Sequence, residues 1–153
     1  MTPTRLEVNS LLRNLWFPAD RKTIVCIDSY EDGIFQGRLS YPSQCIWQPF
    51  SSLSQFLLLM ESTLESRQNP QSYTQQRSFS GMLPANFAET ASCSIRRGTL
   101  ATFELQILFR QHASWQGVVL WLERQKTQKF RSVLELILLM NSALQEPDRL
   151  TYV

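Results

Sequence analysis

The chain has 153 residues, 43% of them hydrophobic and 18% charged, with a net charge of +2. That composition fits one folded domain or two very small ones and argues against wholesale disorder. With 15 basic and 13 acidic residues, the balance neither declares nor excludes a nucleic-acid partner.

Residues 4–16 read as a helix, with Thr4 and Glu7 at capping-box spacing and an apolar side of Leu6, Leu11, Leu12, Leu15 and Trp16. A helix this short must dock on something, so residues 1–22 form an N-terminal docking segment. Its charges interrupt the apolar run that a signal peptide needs. The longest apolar stretches, near residues 56–60 and 136–140, are too short to span a bilayer. No membrane and a cytoplasmic location are the resulting expectations. Cys26, Cys45 and Cys93 are odd in number and form no CxxC pair, which predicts reduced, mostly buried thiols.

Residues 23–30 alternate as a strand, and Glu31, Asp32 and Gly33 supply a hairpin turn. Phe35, Gly37, Leu39 and Tyr41 mark one face of the returning strand. A short third strand over 45–48 is held to an edge by Pro49. Ser52 caps a helix reaching about Leu64, with Gln55 placed to return the capping bond. Residues 66–81 are rich in Gln and Ser and lack Leu, Ile and Val. They cannot bury enough surface to offset their ordering entropy, so 66–98 reads as linker and lead-in. Within it, residues 84–91 suggest a helical turn, and 93–97 an extended piece.

The pattern then returns over 99–153. Phe103, Leu105, Ile107 and Phe109 are read as the inward face of a strand, and His112, Ala113 and Ser114 as its turn. Trp115, Gly117, Val119 and Trp121 follow as the inward face of the next strand. A third strand covers 126–130, and Ser132 with Glu135 caps a helix carrying Val133, Leu136, Ile137, Met140 and Leu144. Aligned at a fixed offset of 80, residues 23–64 and 103–144 share 11 identities in 42 positions, where chance gives roughly two or three. Ile27/Ile107, Gly37/Gly117 and Met60/Met140 are among them. A gapless match across strands, turns and a helix predicts one unit present twice. The expected fold is α+β: a tandem duplication of a β-β-β-α unit, with an antiparallel sheet and the helices packed on one face. A unit of this size rarely holds a core alone. The copies, 23–65 and 99–153, should share one core about a pseudo-twofold axis, imitating a dimer.

The run W-Q-G-x-V-x-W-L-E followed by F-R-S-V-L-E-L resembles a loose set of small bacterial proteins of unassigned function. They consist of a short meander ending in F-x-S-x-x-E-L and a helix. The resemblance covers 103–144 well and 23–64 loosely, where Val118, Glu123 and Glu135 are answered by Arg38, Ser43 and Gln55. Its residues are aromatic anchors, a Gly and a helix cap, so it implies architecture and no active site.

No motif names a reaction. His112 is the single histidine, and it falls at a hairpin turn where a triad is not expected. The scattered cysteines supply no metal-ligand spacing. Glu104 and Glu123 are not spaced as a catalytic carboxylate pair. Five glycines form neither a Walker loop nor a GxGxxG. The chain is therefore expected to be non-catalytic, without cofactor, metal or small-molecule substrate. Two binding surfaces are candidates. Leu108, Val118, Leu120 and Leu122 would form an apolar outer sheet face for a protein partner or self-association, and its counterparts Asp28, Arg38, Ser40 and Pro42 are not apolar. Arg110, Arg124, Lys126, Lys129 and Arg131, near Trp115 and Trp121, would form a basic surface for nucleic acid, as in an accessory or inhibitor protein of a mobile element. The bland alternative for the cations is a guarded sheet edge.

Overall fold

A computed structural model describes residues 22–41, 46–67, 70–72, 79, 90–91 and 97–146. The expected helix over 4–16 lies outside these residues, as do Cys45, Cys93 and most of 73–96. The fold is α+β, with an antiparallel sheet and two helices. The strands are β1 (Lys22–Glu31), β2 (Ile34–Tyr41), β3 (Ile46–Phe50), the two-residue β4 (Thr90–Ala91), β5 (Ala101–Phe109), β6 (Gln116–Trp121) and β7 (Lys126–Phe130). Helix α1 (Leu53–Arg67) follows β3, and α2 (Val133–Gln145) follows β7. The sheet order is β4-β3-β2-β1-β5-β6-β7. Residues 90–91 are thus strand, where a helical turn was expected. β3 runs through Pro49 to Phe50, and β4 pairs only with Ile46 and Trp47, so proline never has to donate to it.

The two halves meet at the β1–β5 pair. Ile24 lies opposite Glu104, its own counterpart at the offset of 80, and Thr23↔Leu105 answers Val25↔Phe103. Three local features recur at the same offset. The register slips between Ile27 and Ser29 in β1 and between Ile107 and Phe109 in β5. A Cβ on Gly37 would meet the Cys26 carbonyl oxygen at 1.8 Å, and one on Gly117 the Gln106 carbonyl oxygen at 1.9 Å. Both glycines therefore let the strands approach beside the bulge. The hairpin turns also match: Asp32 and Gly33 have φ of 53° and 75°, and His112 and Ala113 have 57° and 53°. Two consecutive left-handed residues match the strand twist in a two-residue hairpin.

Both helices pack on one sheet face, over a single continuous core. Phe56, Leu59, Met60 and Leu64 from α1 and Leu136 and Met140 from α2 are buried against Val25, Ile27, Leu39, Phe103, Leu105 and Val119. Ile137, expected on the sheet-facing side of its helix, is partly buried at the core's edge, as is Leu57. The Ser132 hydroxyl caps α2 by accepting from the Glu135 amide at 3.1 Å, and Ser52 accepts from Gln55 at 3.2 Å. Phe109 departs from the sequence expectation. It is 51% exposed, because the bulge turns the last residues of β5 over and sends Arg110 inward in its place.

Ala113 holds a backbone conformation that costs an L-residue about 1 kcal/mol. Ala113→Gly should raise unfolding stability by roughly that amount, measured by urea titration. The same exchange at Ala101, within β5, should lower it.

Candidate functional site

Four features of the described residues carry polar or open chemistry, and the bulges create the first. Arg110 is 2% exposed at the end of β5. Its guanidinium pairs with Glu61 of α1, with Glu65 Oε2 at 2.9 Å, and with the Pro70 carbonyl at 3.3 Å. The Trp115 indole Nε1 donates to Glu61 Oε2 at 2.6 Å. The second half therefore grips the helix of the first. The mirror contact is Tyr30 donating to Asn141 Oδ1, with Tyr30 stacked on Phe35 at 5.1 Å. Tyr30, Phe35 and Asn141 are the counterparts of Arg110, Trp115 and Glu61. This corrects the basic-surface expectation, since Arg110 is a buried, paired anchor. Pro70 and Ser72, placed by composition in a linker, are tied to the same residue.

The remaining cations do not gather on one surface. Lys126 pairs with Glu146 at 3.7 Å and lies over the Trp121 ring, as does Arg124. Arg131 is exposed and pairs with Glu135 across one helical turn at 3.1 Å. Lys129 is exposed on β7, on the sheet face opposite the helices.

The apolar candidates also divide. Val118 and Leu120 lie on the face away from the helices, with Leu120 only 6% exposed and Val118 half-buried. Leu108 sits in the bulge. Leu122 has left the strand, and its amide donates to the Thr102 carbonyl at 2.9 Å. They form no continuous exposed stripe. On the same face Cys26 is buried, and burial pushes its thiol up to about 11, which leaves it unreactive at neutral pH. Asp28, in the first bulge, accepts from Arg38 at 3.0 and 3.3 Å and from Thr99 at 3.0 and 3.2 Å. Burial pushes the Asp28 carboxyl up, but these hydrogen bonds and the Arg38 charge outweigh it and hold the group below its ordinary value.

The fourth feature was missed from sequence. β7 has no neighbour on its outer side among the described residues, whereas β3 at the other end of the sheet carries β4. Beside β7 lies a cleft of about 180 Å³ lined by Phe103, Trp121, Lys126, Gln128, Leu139 and Glu146. The Trp121 indole N–H, buried at its wall, has no hydrogen-bond partner among the described residues. At the corresponding place in the first half Leu59 is fully buried, while Leu139 is only partly so. Pro49 hinted at one edge strand, but nothing in the sequence says which edge is covered. His112 lies exposed at its turn, and among the described residues no cluster of His, Cys, Asp or Glu could hold a metal ion. No described helix is long and apolar enough to cross a membrane.

Arg110→Ala should cost about 3–5 kcal/mol, because it leaves Glu61 charged and poorly solvated. Tyr30→Phe should cost only about 1 kcal/mol, the worth of one neutral hydrogen bond. Equal losses in denaturant titrations would deny the ion cluster its anchoring role. For Asp28, a depressed folded-state pKa means stability that is present above the ordinary value of 3.8 and lost as the pH falls through the folded value. Asp28→Asn should therefore be less stable than wild type at neutral pH, and the deficit should close in acid below 3.8.

Compared with known proteins, the chain matches no family model, no curated protein and no solved structure.

Proposed function

We propose that the chain is a tandem duplication of a β-β-β-α unit, built as a pseudo-dimer, and that it works without catalysis by binding another protein. The duplication is supported by four coincidences at one offset. These are the self-paired Ile24↔Glu104 register, the matched bulges, the matched left-handed turns, and the reciprocal contacts of Arg110 with α1 and Tyr30 with α2. Chance similarity of two amphipathic segments does not reproduce a bulge and a turn at the same places.

The binding role is carried by one observation: among the described residues the sheet is covered at its β3 edge and open at β7, next to a cleft. An open edge presents unpaired amides and carbonyls, which another chain can satisfy. The rival nucleic-acid role loses ground here, because Arg110, Lys126 and Arg131 are each paired with a carboxylate.

The wild-type chain, tagged and used as bait in a lysate of its native host, separates the two. A protein partner should be retained after nuclease treatment, with only modest weakening between 50 and 200 mM salt. A phosphate-driven complex would be lost to nuclease and would weaken by about 10³-fold or more over that range. Retention of nothing but nucleic acid would overturn the protein-binding role.

A further inference from the structure

The two sheet edges differ in more than occupancy. Lys126 and Lys129 on the open edge are answered at the covered edge by Ile46 and Pro49. Arg124 and Arg131 flank β7 in sequence; Lys126 and Arg131 are paired with Glu146 and Glu135, and Lys129 stands exposed on the strand. The register is nevertheless the same at both ends: Val118↔Lys129 corresponds to Arg38↔Pro49, and Trp121↔Lys126 to Tyr41↔Ile46. Resting on the protein-binding role proposed above, we infer that β7 takes an extended acidic segment of a partner protein as an added antiparallel strand, alongside the Trp121 cleft.

The covered edge shows what fits. β4 runs antiparallel to β3, with Ala91 opposite Ile46 and Thr90 opposite Trp47. The equivalent positions on β7 are Lys126 and Thr127. β7 offers five residues, so the partner segment needs about five in β conformation. Main-chain hydrogen bonds supply affinity in such a complex, and alternate side chains supply selectivity. Lys129 on one face and Lys126 on the other place a cation on each side of the added strand. Aspartate or glutamate at positions three apart in the partner would meet them, whereas an uncharged or basic strand leaves Lys129 to be partly desolvated without a counter-charge, Lys126 having Glu146 at 3.7 Å. The same lysines oppose pairing with unselected edges. A symmetric β7–β7 dimer is disfavoured because it concentrates these cations from both copies.

Pro49 supplies the decisive variant. Proline has no N–H, so its place in the β2–β3 ladder is one whose amide direction leads away from β2. Lys129 occupies the same register against β6, so its amide leads out to the open edge. Lys129→Pro therefore puts into β7 a residue that the fold already accepts in β3, and removes one edge donor.

The experiment selects a phage-displayed library of randomised nine-residue peptides on the full-length chain. Selected peptides are then measured against wild type, Lys129→Pro and Lys129→Ala, with thermal melts to confirm folding. Enriched peptides should be rich in Asp and Glu. Lys129→Pro should weaken them by at least about tenfold, equivalent to about 1.4 kcal/mol, and Lys129→Ala by less. Peptide binding to wild type should also slow hydrogen exchange at Thr127 and Lys129, a readout that does not depend on the variant folding. The inference is overturned by basic or apolar consensus peptides, by no enrichment, by unchanged β7 exchange, or by a wild-type dimer that Lys129→Pro dissociates. If no peptide is selected while the lysate still yields a nuclease-resistant protein partner, the acidic-strand inference falls and the broader protein-binding role stands.

Discussion

The antiparallel pairing of β1 with β5 is the constraint on which everything else rests. It turns two three-strand meanders into one sheet, and it fixes their relation through a register in which Ile24 faces its own counterpart, Glu104. Among the described residues each half has a single helix to cover its strands, too little to close a core of its own. Joined edge to edge, the halves bring both helices onto one face, and Val25, Leu105, Phe56 and Leu136 become parts of the same apolar cluster. The central strands lose their exposed edges in the process, which removes the most aggregation-prone feature of either half.

The bulges next to this pairing give the halves a second hold on each other. By turning over the last residues of β1 and β5, they aim Tyr30 and Arg110 at the opposite helix. One of these contacts is neutral and the other ionic. Burying a guanidinium costs several kcal/mol of lost hydration, on the order of what excellent geometry can return. Two carboxylates and a backbone carbonyl surround Arg110, and Trp115 holds the nearer carboxylate in place. The net gain in stability is therefore modest. The gain in specificity is larger, since a slipped register would strand a charge in the core.

The halves are alike in backbone and unlike in surface, and the proposed function rests on that difference. Among the described residues β3 has its edge taken by β4, whereas β7 keeps its edge, its lysines and a cleft. The pseudo-dimer proposed above could devote one edge to folding and keep the other for a partner, which a true homodimer cannot do without breaking its symmetry.

The sequence by itself determined the elements. Period-two alternation, the Asp32–Gly33 turn, the Ser132 cap and the helical spacing of Leu136 and Met140 are local signals set by backbone geometry. The offset of 80 is legible there too, because the same residues recur in the same order. Tertiary structure alone decided which way residues face beyond each bulge, since one extra residue inverts the alternation without changing composition. Hence Phe109 is outside and Arg110 inside, against the expectation from period two. It also decided that Leu120 is buried while Lys129 is exposed, and which end of the sheet is open among the described residues. Those outcomes depend on contacts between residues far apart in the chain, such as Arg110 with Glu61 and Ile46 with Ala91, and local propensity carries no record of them.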